Sequence, residues 1–199
     1  MLRRKVLGLS GLIVRTIAVV GATGTGCAFA AAAAAAAYVV VLEDVSREMR
    51  DRGVASIATL LQERERCGSL RGGTAAMALG NISTASTVET AIRDAELIVE
   101  AVPEELEMKL ELFTIFDKFA KPGAIFISTS ETLSILDISD VTIRRDRCMG
   151  MRFNRAESGE DTLELVPTAL TSLETQQICR EVAEKLSKNV RVVQDCDLA

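Results

Sequence analysis

At 199 residues the chain is long enough for one well-cored domain and too short for two full ones. Its 23 Lys and Arg against 28 Asp and Glu leave a net charge of −5, which excludes the clustered positive surface that nucleic-acid backbones require; Arg3 to Lys5 and Arg144 to Arg147 are short enough to be solvated surface. Histidine is missing altogether, which removes the usual general base near neutral pH and the commonest nitrogen ligand for metals, and the five cysteines show neither a CxxC pair nor zinc spacing.

Residues 1–14, "MLRRKVLGLSGLIV", have the look of an export signal, with paired arginines before an apolar stretch. Arg15 interrupts that stretch, and cleavage near Cys27 would discard the most structured pattern in the chain, so we expect a tail or an extension packed on the domain edge. Ile17 to Val20 then predict a buried parallel strand ending at Gly21. "GATGTG" follows, and after it Ala28 to Ala37 predict a helix small enough to lie very close to a sheet. "YVVVLED" is a second apolar strand closing on Glu43 and Asp44. Strand, glycine turn, helix, strand and acid, with Asp44 placed 23 residues after Gly21, is the order of a dinucleotide-binding βαβ unit. Gly21 would turn the chain, Gly24 and Gly26 would let the backbone approach a pyrophosphate, and Asp44 would accept hydrogen bonds from the adenosine ribose. A 2′-phosphate would be repelled there, so NAD is expected rather than NADP.

From Val45 to about Leu79 the pattern is helical, broken by "RCGSLRGG", and "NISTAST" returns toward the sheet. Thr87 is placed to cap a short helix over "TVETAIRDA". "ELIVEAVPEE" is a strand stopped by Pro103, after which Met108, Leu112, Ile115 and Phe119, with Leu106, Leu110 and Phe113 beside them, predict the broad buried face of a helix. "KPGAIFISTSE", "RCMGMRF", "TLELVPT" and "NVRVVQD" predict four more strands, with a helix before the last whose inward residues are Leu173, Ile178, Val182 and Leu186. The fold class is α/β, Rossmann-like, with a mainly parallel doubly wound sheet and one domain over residues 15–199. Reduced thiols in a cytoplasmic protein, bound to neither membrane nor nucleic acid, complete the expectation.

At "AELIVEAVPEELEMK" the sequence resembles the NAD-binding domain of the 3-hydroxyacyl-CoA dehydrogenase family, and the likeness extends through "VVGATGTG", "VVVLEDVS", "AIFISTSETLSI", "DRCMGMRF" and "LELVPT". The resemblance implies hydride transfer between NAD(H) and the 3-hydroxyl carbon of an acyl-CoA, as part of fatty acid metabolism. It also implies a following helical domain for dimerisation and cleft closure, which this chain is expected to lack, so the expected partners are a second copy in a homodimer or a separate chain that supplies the missing domain. Carried over by position, Gly21, Ala22, Thr23, Gly24, Thr25 and Gly26 are the phosphate turn and Asp44 the ribose acid; Ala101, Glu104, Lys109 and Thr129 fall near the nicotinamide. Thr23 stands where the family usually has glycine. The "GATG" turn is also similar to that of short-chain dehydrogenases, but the sole tyrosine, Tyr38, has no lysine four residues on.

The catalytic positions depart further. The family's general base is a histidine oriented by a glutamate 12 residues later; those positions are Arg152 and Glu164. Arginine stays protonated and cannot accept a proton from a hydroxyl, so Arg152 and Glu164 are expected to form a salt bridge in place of the dyad. The family serine that binds the substrate oxygen corresponds to Glu131, and a nearby asparagine to Arg155. The expectation is an NAD(H)-binding domain with weak or no dehydrogenase activity. Its rivals are an enzyme using Lys109 or Glu131 as base, and a module that senses NAD(H) and acts through a partner.

Overall fold

Thr16–Val20 form strand β1, buried on both faces from Ile17 onward, as befits an inner strand of a parallel sheet. The computed structural model describes residues 12–155 and 161–195, apart from the side chains of Arg155 and Asp161. Around β1 stand β2 (Val39–Glu43), β3 (Ile82–Ala85), β4 (Leu97–Glu100), β5 (Ile125–Ser128), β6 (Cys148–Arg155), β7 (Asp161–Pro167) and β8 (Asn189–Val192), in the spatial order β3-β2-β1-β4-β5-β6-β7-β8. Every described pairing is parallel except β6 with β7, whose antiparallel register sets Arg152 opposite Glu164. The fold is α/β and Rossmann-like. Its strand order reverses direction at β1 and β4, and the ends of those two strands open the crevice where such sheets hold ligands.

Helices α1 (Gly24–Ala35), α2 (Arg47–Arg66), α3 (Thr74–Leu79) and α7 (Leu173–Leu186) share one apolar core with the sheet. On the opposite face α4 (Val88–Ile92), α5 (Leu106–Phe119) and α6 (Ile135–Ser139) close a second core. Alanine suits α1 because Ala30, Ala31 and Ala33 are fully buried, and a larger side chain would push the helix off the sheet.

Several boundaries differ from the sequence expectation. α1 starts at Gly24 rather than Ala28, because the Thr23 side chain accepts a hydrogen bond from Gly26 N at 3.2 Å and caps the helix. It ends at Ala35, and Ala37 takes a left-handed φ of 66°. In α5 the buried stripe is Lys109, Leu112, Phe113 and Phe116, while Met108 and Phe119 are exposed. Apolar spacing gives Leu112 and Phe113 but not the line of the stripe, because one of its members is a lysine. Leu173 opens the first turn of α7 and is 82 % exposed, so it is no part of that helix's inward face. Beside α7, Leu12 and Val14 pack against the core, and the amides of Arg15 and Thr16 donate to Glu96 Oε2 at 3.0 and 2.8 Å. The rest of the expected tail, residues 1–11, lies outside the described residues, as does Cys196.

Candidate coenzyme site and the Arg152 cluster

Backbone crowding shapes the crevice between β1 and β4. Gly21 has φ +105°, and a Cβ there would stand 2.6 Å from the Ala101 carbonyl oxygen; a Cβ on Gly26 would stand 2.0 Å from the Gly21 oxygen. A Cβ on Gly24, by contrast, would meet nothing within 4 Å, so the turn faces open space there. The amides of Gly24 and Thr25 begin α1 and have no acceptor within the helix, which leaves them for an anion. Thr23 replaces an expected glycine without filling this space: its hydroxyl turns inward and donates to Ala101 O at 2.7 Å. Asp44 joins the end of β2 to the same turn, accepting from Ala22 N and Val45 N, each at 2.8 Å. A pyrophosphate and an adenosine ribose therefore fit the residues present, with the glycines giving close approach and Asp44 held at the ribose end.

At the end of β4 a polar cluster supports the other half of the crevice. Lys109 is fully buried, and its Nζ donates to Glu100 Oε1 at 2.8 Å and Val102 O at 3.3 Å and lies 3.4 Å from Glu104 Oε2. Its ammonium thus sits beneath the crevice rather than on its surface. Glu100 also accepts from Ser128 Oγ at 2.6 Å and Val102 N at 2.8 Å. Glu104 accepts from the Ser130 hydroxyl and from the amides of Glu131, Thr132 and Leu133, so one carboxylate gathers the loop after β5. Burial alone would push the Glu104 carboxyl up, but those hydrogen bonds and the Lys109 charge hold it at about 2. Thr129, at the start of this loop, is buried, and its amide donates to Glu100 O at 3.1 Å.

Arg152 lies on β6 facing the same loop. Its Nε donates to Glu164 Oε2 at 3.0 Å, and its Nη1 donates to the carbonyls of Ser130 at 3.0 Å and Glu131 at 2.9 Å. Glu164 is the buried hub: Arg191 on β8 and Asn154 on β6 also donate to it, the latter at 3.0 Å. Burial alone would push the Glu164 carboxyl up, yet the donors from Arg191, Asn154 and Arg152 hold it below the usual carboxylate range. The expected ion pair is present and reaches further than its two members. Arg191 escaped the sequence reading because β8 meets β7 only in the fold, where it lies in register with Glu164. Glu131 itself is exposed, and the Arg155 side chain lies outside the described residues.

A crevice at the strand reversal, crowded glycines, a capped helix start and an acid at the end of the second strand define a dinucleotide-binding dehydrogenase domain. The model of the 3-hydroxyacyl-CoA dehydrogenase NAD-binding domain matches residues 16–196, and the chain belongs to that family. Its cofactor is NAD. Relatives include the mitochondrial hydroxyacyl-coenzyme A dehydrogenase of Homo sapiens, 28 % identical over 89 % of this chain and 58 % of its own length. A probable 3-hydroxybutyryl-CoA dehydrogenase of Bacillus subtilis is 29 % identical over 92 % of this chain and 63 % of its own. Among solved structures, (S)-3-hydroxybutyryl-CoA dehydrogenase from Ralstonia eutropha superimposes with a TM-score of 0.83 at 27 % identity, covering 92 % of this chain and 65 % of that one. The chain thus spans about three fifths of the length of these three relatives. Among the described residues no helix is long and apolar enough to cross a membrane, and no cluster of acidic, cysteine or histidine side chains could hold a metal ion.

Proposed function

We propose that this domain binds NAD(H) in the manner of 3-hydroxyacyl-CoA dehydrogenases and is weakly active or inactive in that reaction. The observation that carries this reading is the guanidinium of Arg152, locked by Glu164 and two loop carbonyls, at the residue that corresponds in sequence to the family's histidine. When bound, NAD would supply the hydride acceptor. Gly21 to Gly26 and Asp44 would bind and orient it, Ala101 would line the crevice, and Thr129 and the loop held by Glu104 would face its nicotinamide end. Lys109 and Glu100 act as positioning residues under that loop. A permanent cation at 152 holds no proton acceptor for the substrate hydroxyl, and a carboxylate at Glu131 would repel a substrate oxygen gaining negative charge. Acyl-CoA is the ligand class the family suggests. Buried free thiols at Cys27, Cys148 and Cys179 support a reducing compartment, of which the cytoplasm is our choice; named relatives work in mitochondria and peroxisomes.

Acetoacetyl-CoA-dependent loss of NADH absorbance tests the reading. The wild type should stay within background, and the double variant Arg152→His with Glu131→Ser should rise by at least about tenfold, a fraction of the roughly 10²–10⁴-fold that a positioned general base contributes. Wild-type turnover well above background would refute it.

A further inference from the structure

Glu43 is a buried acid that neither the sheet nor the coenzyme crevice requires. It is the last residue of β2, directly before Asp44, and its side chain is only 4 % exposed. The ionisable groups facing it come from three elements: Asp44 beyond the end of its own strand, Arg50 on α2 and Glu89 in the first turn of α4. The flanking strands offer none, since its partners across β1 and β3 are Val20 and Ala85. Arg50 is the sole cation of the group, and its Nη1 is committed to the main-chain oxygen of Asp44 at 2.7 Å. Three acids and one base therefore share the adenosine end of the crevice. Burial first, and then the Asp44 charge, push the Glu43 carboxyl up to about 7. With no histidine in the chain, few other groups change charge near neutrality.

Glu43 is also tied to the phosphate turn, because its carbonyl oxygen accepts from Gly21 N at 2.9 Å. A bound dinucleotide would cover Asp44 with its ribose, removing water that screens the two carboxylates from each other. Its pyrophosphate would add negative charge beside the same turn. Both effects disfavour an ionised Glu43, and linkage makes the coupling reciprocal. We infer that Glu43 is a proton-linked determinant of coenzyme affinity: its carboxyl takes up a proton as NAD(H) binds, and the crevice loses affinity as that carboxyl ionises. The inference rests on the crevice being the coenzyme site.

NADH binding is followed by fluorescence between about pH 6 and 8.5, a range spanning the ionisation, in the wild type and in Glu43→Gln. A Cys67→Ser background removes the exposed thiol whose proton affinity is lowered by Ser69. Wild-type affinity should fall about 3- to 10-fold over that range, the size of a coupling of up to one pKa unit, and Glu43→Gln should hold its affinity throughout. An equal slope in both proteins would overturn the inference. Calorimetry of the wild type near neutral pH, in two buffers of different ionisation heat, needs no variant: net proton uptake on binding supports the proposal, and none overturns it. NADH binding at no pH would overturn the coenzyme reading itself, whereas tight binding without pH dependence would sink only the role of Glu43.

Discussion

Three carboxyls around the crevice have been pushed in opposite directions, and this gives the domain an unusual response to pH. Glu104 and Glu164 gain hydrogen bonds and cationic partners on folding, so their proton affinity falls. Their stabilisation is complete above the ordinary carboxylate range and is lost as pH falls toward about 2 for Glu104. Glu43 gains burial and a like charge, so its native proton affinity rises. Its neutral form is favoured in the folded state, and stability is lost as pH climbs from the unfolded value near 4.5 to the folded value of about 7. That shift corresponds to roughly 3–3.5 kcal/mol at most. Thermal melts should therefore give a Tm maximum near about pH 5 with a decline toward pH 8, and Glu43→Gln should remove most of the decline. A wild-type Tm that is flat or rising over that interval would show that Glu43 ionises freely in the native state. Arg152 belongs to the same scale. Its identity was plain in the sequence, but the two loop carbonyls it binds were not, since they depend on how the segment after β5 folds back.

α1 shows how a residue pattern becomes an element with a task. Its helix is short of bulk so that it can approach the sheet, and its first turn is open so that it can meet a ligand. Gly26 serves the first requirement: any Cβ would collide with the Gly21 carbonyl, part of the rigid turn after β1. Gly26→Ala should cost at least about 3 kcal/mol in urea unfolding, the range of a core clash that the backbone must absorb. Gly24→Ala, placed in open space, should leave stability unchanged or raise it by up to about 1 kcal/mol, the difference in helix propensity. Equal losses at the two positions would mean that α1 does not sit as close to β1 as described. Strand–helix alternation was legible throughout because β-branched runs and glycine breaks punctuate it. The extent of α1 was misread because Thr23, taken for a departure from a glycine motif, is in fact its cap. The buried stripe of α5 was misread because Lys109 enters the core to meet Glu100.

Across the whole molecule, coenzyme site and altered catalytic position lie on one sheet and are linked through the loop after β5. Glu104 gathers that loop from the β4 side, and Arg152 holds the carbonyls of Ser130 and Glu131 from β6. The family relation was legible because its motifs fall at the ends of strands, where the sequence must satisfy both fold and ligand. The Glu164 hub was legible only in part, because Arg191 arrives from a strand whose pairing no local pattern specifies. Central to the account is a crevice fit to hold NAD(H) beside a position that cannot accept a proton. Equilibrium titration of the wild-type domain with NADH, read as enhancement of nicotinamide fluorescence, addresses the first half directly. Saturation with a Kd below about 1 mM, equivalent to roughly −4 kcal/mol, and its loss in Asp44→Ala are the predicted results. A linear rise without saturation through that concentration, or equal saturation in both proteins, would contradict it.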